Sequence, residues 1–172
     1  GHIISETGRI PPADEPAVRR GVEEGLDAFK PAIGYGSLAA GADILFAESL
    51  LERGADLTVV LPFSRDDFVR ISVAPSGETW INRFDAIYER LEPANRVLYV
   101  TEDGYLDDDN LFAYADEFAM GLTLLRADHA AAEAMQMTVW DGSETPHPAG
   151  TYAARIAWAR TGNPQVNITR SE

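Results

Sequence analysis

The stretch AIGYGSLAAGADILFAESLLERG, residues 32–54, predicts a strand, a glycine-rich turn and a helix. Gly34 and Gly36 allow the backbone to turn sharply and to approach a ligand closely, because neither residue carries a β-carbon. Ser37 is the predicted N-cap of the helix, and Gly54 is its predicted C-terminal stop. The N-terminus of a helix behind such a turn attracts phosphate, because its N–H groups are free and its dipole end is positive. The stretch therefore predicts a site for a nucleotide or another phosphorylated metabolite.

The rest of the chain alternates predicted strands with predicted amphipathic helices. The first predicted helix is 15–29, and a short helix is predicted at Ser64 and Asp67, which fit a capping box. Three further helices are predicted from the apolar residues on one face. These residues are Trp80, Phe84, Ile87 and Leu91 in the first, Leu111, Ala115, Phe118, Leu122 and Leu125 in the second, and Tyr152, Ile156 and Ala159 in the third. The predicted strands, besides the one at Ile33, are 57–62, 97–100, 135–140 and 166–168.

This alternation predicts right-handed βαβ units and therefore an α/β fold, a doubly wound, mainly parallel, Rossmann-like sheet with helices on both faces. Residues 1–172 are expected to form one domain. No strand is predicted before the first helix, although this architecture usually begins with one. Residues 1–4 are therefore interpreted as the end of a strand that begins outside the sequence, and the domain as a fragment of a longer chain.

The composition argues against several classes of function. Lys and Arg together number 14 and Asp and Glu 28, which gives a formal net charge of −14 at pH 7. Such a surface repels nucleic acids and anionic membranes, so neither is an expected partner. Cysteine is absent, which excludes disulfides and thiolate chemistry. Without a recognisable signal peptide or membrane helix, a cytoplasmic location is expected.

Ligands of doubly wound sheets bind at the carboxyl ends of the strands. The loops 34–41, 62–65, 101–103 and 141–151 are therefore expected to converge on one site. Tyr35, Phe63 and Trp140 are the aromatic candidates for stacking on a nucleotide base.

Residues 34–39 fit the G-x-G-x-x-A dinucleotide pattern, but the acid that should follow the next strand is missing. The alternative interpretation is that these glycines only make a tight turn. Asp43 and Glu48 are five residues apart on one helix, so they point about 140° away from each other and cannot form an acid–base pair there. The three histidines are scattered, and no metal site is predicted.

Two motifs resemble those of a known family. Residues 36–43, followed by Ala47 and Glu48 and by the strand that ends at Pro62, resemble the first motif of the SLOG superfamily. This Rossmann-like group contains the Smf/DprA DNA-uptake proteins and the LOG phosphoribohydrolases. Asp141 and Gly142, followed by Gly150 and Thr151, resemble its second glycine motif and are also similar to a segment of nucleoside 2-deoxyribosyltransferases. The layout is most similar to SLOG-type domains beside cyclase or tetratricopeptide-repeat modules of bacterial signalling proteins.

The resemblance implies that a nucleotide-like ligand is held between two glycine loops. The implied ligand-binding residues are Gly34, Gly36, Ser37, Gly41, Asp43, Asp141, Gly142, Gly150 and Thr151. The enzymes of the group carry a glutamate just after the second Gly-Thr, whereas Tyr152 follows here. This difference favours a sensor over an enzyme, with a fused or separate effector module and self-association left open.

Two other functions remain open. The first is an N-glycosidase-like hydrolase of nucleosides or nucleotides, in which Glu48 is the candidate catalytic carboxylate. The second is an interaction module that has the same fold but binds no ligand.

Overall fold

The computed structural model of the chain describes residues 2–6, 8–144 and 149–169. Helices and strands alternate through the described ranges and confirm the predicted α/β fold, with parallel strands and helices on both faces of the sheet. The helices are α1 (Glu15–Phe29), α2 (Ala42–Glu52), α3 (Arg65–Ser72), α4 (Glu78–Leu91), α5 (Asn110–Ala130) and α6 (Thr151–Ala159), and the strands are β1 (Ile33–Gly36), β2 (Asp56–Leu61), β3 (Val97–Tyr99), β4 (Gln136–Val139) and β5 (Gln165–Ile168).

The strands form two separate parallel groups. β1, β2 and β3 are hydrogen-bonded in that order, with Ile33 opposite Asp56 and Val59 opposite Val97. β4 pairs with β5, with Gln136 opposite Gln165. Every residue of β2 after Asp56 is buried, as the continuous apolar run predicts for a strand covered on both faces.

Two layers of helices cover the strands. α1 packs against α2 and touches β5, whereas α5 packs against β1, β2 and α6. α1 approaches β5 closely at Gly21, where a Cβ would lie only 2.5 Å from Cγ2 of Ile168. The apolar spacing of α1 predicts a buried face of Val18, Val22, Leu26 and Phe29, and the first three are buried whereas Phe29, at the end of the helix, is 47% exposed. All four predicted residues of α4 are buried.

The predicted buried faces of α5 and α6 are wrong in part: Ala115 is buried and Leu111 and Leu122 are half-buried, as predicted, but other residues of both faces are exposed. In α5 the buried residues are Ala115 and Ala119, while Phe118 is 42% and Leu125 is 68% exposed. Small side chains let a helix approach a sheet closely, so the alanines of this helix face β1 and β2 and larger side chains project outward. In α6, Ile156 and Ala159 are exposed, and the buried residues are instead Thr151 and Trp158.

Two predicted helix starts are also corrected. α2 begins at Ala42 after Gly41, whose φ of +104° suits glycine, so residues 38–40 are not helical and Ser37 caps no helix. Ser64 makes no side-chain cap at α3, and Asp67 accepts hydrogen bonds from the backbone N–H of Tyr105 and from Arg70 instead. Among the described residues no helix is long and apolar enough to cross a membrane.

We expect Gly21→Ala to lower the free energy of unfolding by about 1–3 kcal/mol, because the new methyl group would collide with Ile168. Gly121→Ala is the matched control, since a Cβ there meets nothing within 4 Å. This change should stabilise the protein by about 0.5–1 kcal/mol through helix propensity. Urea denaturation measures both, and equal effects of the two substitutions would contradict the close contact between α1 and β5.

Candidate functional site

A cavity of about 840 Å³ lies between β1 and β4. All four residues of each strand line it. α1 contributes Val22 and Leu26, and α5 contributes Ala115 and Ala119. The cavity therefore separates the two strand groups and runs along the length of both strands.

Several residues predicted to bind a ligand lie together in this cavity. Gly34, Gly36 and Ser37 line it at and after the end of β1, and Asp43 lines it from the first turn of α2. Gly150 and Thr151, at the start of α6, line the same cavity. Two glycine-containing segments that are distant in sequence, one at the end of β1 and one at the start of α6, therefore line one cavity.

Gly41 has a different environment from the other predicted site residues. The N–H of Ala42 donates to the carbonyl of His2 at 3.2 Å, and a Cβ at Gly41 would lie 2.5 Å from the backbone nitrogen of Ile4. Gly41 is not among the described residues that line the cavity. In this structure it allows the N-terminal segment to lie against the start of α2. Ile4 itself forms a single parallel bridge, with Ile10.

Asp141 and Gly142 are likewise outside the described lining of the cavity. The Asp141 carboxylate accepts hydrogen bonds from the hydroxyl and the N–H of Ser143 and forms an ion pair with Arg9 at 3.7 Å. Its Oδ1 also lies 3.3 Å from Nε2 of His2. The hydrogen bonds from Ser143, with a smaller contribution from His2, lower the pKa of Asp141 to about 2. Asp141 thus anchors the N-terminal segment to the loop after β4.

The three predicted stacking residues also separate. Phe63 is fully buried and its ring packs against Phe112 at 5.3 Å, so it belongs to the core. The ring of Trp140 stacks on that of Tyr152, with centroids 6.0 Å apart, and the guanidinium of Arg155 lies 4.9 Å from the centre of the Trp140 ring. Tyr35 alone of the three lines the cavity.

Glu48, the candidate catalytic carboxylate, is held in an ion-pair network instead. Arg83 donates to it through Nε at 2.7 Å and Nη2 at 2.8 Å, and Arg19 donates to the same carboxylate. Burial opposes ionisation of Glu48, but the hydrogen bonds from the two arginines outweigh it and hold its pKa below the ordinary value. The Arg83 guanidinium also lies 4.0 Å from the centre of the Trp80 ring. Glu48 is not among the described cavity-lining residues.

Asp116 is a site residue that sequence reasoning missed. It lies in α5 next to Ala115 and lines the cavity. Desolvation, reinforced by the neighbouring charge of Asp43, raises the pKa of its carboxyl group to about 6. The sequence did offer one sign of this residue, namely an aspartate next to the small apolar residues of a long helix. It was missed because the predicted buried face of α5 included Phe118, which is exposed.

The charged residues along the described cavity wall are mostly acidic. They are Asp43, Asp56, Asp109, Asp116 and Glu133, with Arg126 as the single base among them. Asp43 also accepts a hydrogen bond from the N–H of Ala39 at 3.3 Å. The cavity therefore favours hydrogen-bond donors and disfavours ligands with a high negative charge.

These features define a Rossmann-like α/β domain with glycine-containing loops at the carboxyl ends of its strands. No family model matches the sequence, and no curated protein matches it. A solved structure that the chain resembles is the X-ray structure of DNA processing protein A (DprA) from Streptococcus pneumoniae, with a TM-score of 0.42 and 15% sequence identity. The likeness covers 95% of this chain and 58% of that chain, and it concerns the fold alone.

The pKa of Asp116 predicts an unusual pH dependence of stability. Because it is raised to about 6 in the folded state, the native protein binds more protons than the unfolded chain between pH 4 and 6, and stability falls as pH rises through that range. Asp116→Asn should therefore have little effect near pH 4 and stabilise the protein by about 1–3 kcal/mol at pH 7.5. Guanidinium denaturation at several pH values measures this difference.

Asp128→Asn is the matched control, because Asp128 is an exposed acid in the same helix and the chemical change is the same. Its effect should be small and nearly constant over the same pH range. A stabilisation by Asp116→Asn that does not change with pH would contradict the inferred desolvation of this carboxyl group.

Glu48→Gln should lower the free energy of unfolding by about 1–3 kcal/mol, because it leaves two part-buried guanidinium groups without their shared carboxylate. Glu52→Gln, at an exposed position of the same helix, is the control and should change stability by less than about 0.5 kcal/mol. Thermal and urea unfolding measure both. Equal effects of the two substitutions would show that the network contributes nothing.

Proposed function

We propose that the domain binds a nucleotide or a nucleotide-derived metabolite at the carboxyl ends of β1 and β4 and acts as a sensor of that ligand. One observation carries the proposal: Gly36 and Ser37, at the end of β1, line the same cavity as Gly150 and Thr151, at the start of α6. In doubly wound folds, ligands bind where loops meet at this end of the sheet.

The two helix starts at the site suit different parts of such a ligand. α6 begins after Gly150 with no side-chain cap and no acid in its first turn, so its N–H groups suit a phosphate. The start of α2 instead carries Asp43. Carboxylates accept hydrogen bonds from ribose hydroxyls, and Asp43 and Asp116 are the candidates for that contact.

The remaining lining suits a flat base and limits the number of phosphates. Tyr35 offers an aromatic ring, and Phe46 and the methionines at 120, 135 and 137 offer apolar, adaptable surface. Since acids outnumber bases along the described wall, each further phosphate adds electrostatic repulsion. We therefore expect monophosphates and uncharged nucleosides to bind better than triphosphates.

A thermal-shift panel of adenosine, guanosine and their mono- and triphosphates tests this proposal. A ligand present at about one hundred times its Kd should stabilise the domain by about 2.7 kcal/mol and raise its melting temperature visibly. Gly36→Val should abolish the shift while leaving the ligand-free protein folded, because a Cβ at Gly36 meets nothing within 4 Å and the new side chain enters the cavity.

Gly121→Ala, at the open position on α5, serves as the control and should retain the shift. A shift that survives in Gly36→Val would exclude this end of the cavity as the binding site. The absence of a shift with every nucleoside and nucleotide would favour an interaction module that binds no ligand.

A second candidate function is hydrolysis of an N-glycosidic bond. It is favoured by the electrostatic coupling of Asp43 and Asp116 in one cavity, because a carboxyl group with a pKa near 6 beside a second carboxylate resembles an acid–base pair. Glu48 is a weaker candidate because its carboxylate already forms ion pairs with Arg19 and Arg83.

Incubation of each stabilising nucleoside with the protein, followed by chromatography for free base, separates the two functions. A sensor releases no base. If base is released, Asp116→Asn should slow its release at least tenfold, whereas Glu48→Gln should not. If Glu48→Gln slows the release of base and Asp116→Asn does not, Glu48 is the catalytic carboxylate instead.

A further inference from the structure

The two strands that border the cavity each have one edge without a strand partner. β1 pairs with β2 on one side only, and β4 pairs with β5 on one side only. No backbone hydrogen bond links β1 to β4 in the described part of the chain. All-parallel sheets have both faces covered, and backbone N–H and C=O groups that are buried are normally paired. Two such edges facing one cavity therefore indicate an unoccupied strand position.

The shape of the cavity fits that position. It extends along every residue of both strands, and α1 and α5, from the two helix layers, contribute its walls. Many of the lining side chains are small or apolar, as next to a buried strand: Val22, Leu26, Ala115, Ala119 and Met120 from the helices and Met137 from β4. The polar residues that α5 adds to the same wall are Asp116, Thr123 and Arg126. A strand placed there would lie about 4.8 Å from each neighbour and would satisfy the N–H and C=O groups of both edges.

The N-terminal segment indicates the direction of such a strand. The carbonyl of His2 accepts the N–H of Ala42, at the start of α2, and Ile3 lines the cavity. His2 therefore lies at the same end of the molecule as the carboxyl end of β1. A strand that entered His2 from the cavity would run parallel to β1 and β4, and α1 would then form a right-handed crossover from it to β1.

We propose that the cavity between β1 and β4 is the seat of a sixth parallel strand, an extended apolar segment of the same polypeptide that leads directly into His2. The complete sheet would then have the order β3, β2, β1, the added strand, β4, β5. The added strand would cover Met120 and Met137, so a nucleotide bound to the complete sheet would keep only contacts beyond the carboxyl end of that strand, with Ser37, Asp43 and Thr151 as the candidates. The inference does not depend on whether a nucleotide binds.

The experiment joins a six-residue segment, Val-Leu-Val-Val-Ile-Val, to the amino end of the full 172-residue chain. Because the segment can pair with both free edges, the melting temperature should rise on the order of 10 °C. Amide hydrogen exchange should slow in both Ile33–Gly36 and Gln136–Val139, which are the two edges that the segment would cover.

Two matched extensions serve as controls. Val-Pro-Val-Pro-Ile-Pro keeps apolar residues but lacks half of the N–H donors, and Ser-Gly-Ser-Ser-Gly-Ser has no apolar side chains, so both should leave melting and exchange unchanged. Equal stabilisation by all three extensions, or slower exchange in only one of the two strands, would overturn the proposal. Stabilisation by the free apolar peptide but not by the joined one would instead assign the position to a strand from another chain.

These readouts are made without nucleotide, so they are independent of the proposed ligand. If the joined strand stabilises the sheet and no nucleotide shifts its melting temperature, the proposed function fails and this inference stands. If nucleotides bind the original chain and the joined strand changes nothing, the inference fails and the proposed function stands.

Discussion

The structure depends on one constraint: a buried parallel strand needs hydrogen-bonding partners along both edges and apolar cover on both faces. β2 meets this constraint fully, with β1 and β3 as neighbours and every residue after Asp56 buried. β1 and β4 meet it along one edge only. The cavity between them, its apolar walls and the separation of the two strand groups all follow from that difference.

The position of the candidate site follows from the same arrangement. Ligands of doubly wound sheets bind at the carboxyl ends of the strands, and segments that follow β1 and β4 in the chain line one cavity here. Gly36 and Ser37 come from one loop and Gly150 and Thr151 from the other. Gly41 and Asp141 belong to the same glycine motifs but contact the N-terminal segment instead.

Much of the fold could be predicted from the sequence, because regular apolar spacing and continuous apolar runs reflect burial directly. The bounds of α1 and the buried face of α4 agree with the prediction, as does the buried face of α1 apart from Phe29. α5 and α6 were harder, because α5 carries apolar residues on several faces and its buried stripe consists of alanines. Periodicity marks large apolar residues, whereas close helix–sheet packing selects small ones.

The site was predictable only in part, for a related reason. Motif spacing identified Gly36, Asp43 and Thr151, which the structure brings to one cavity. It did not identify Asp116, because this residue belongs to no motif and enters the cavity through the orientation of α5. Nor could it show that Glu48 is shared between two arginines, since Arg19 and Arg83 come from helices elsewhere in the chain.

The central claim is that the ends of β1 and β4 form a single ligand site. The most direct measurement is a titration of the isotopically labelled protein with adenosine monophosphate, followed through the backbone amide resonances by NMR. The account predicts that Gly36, Ser37, Gly150 and Thr151 shift together, with one common dissociation constant. Shifts confined to one of the two segments, or shifts located away from both, would contradict it.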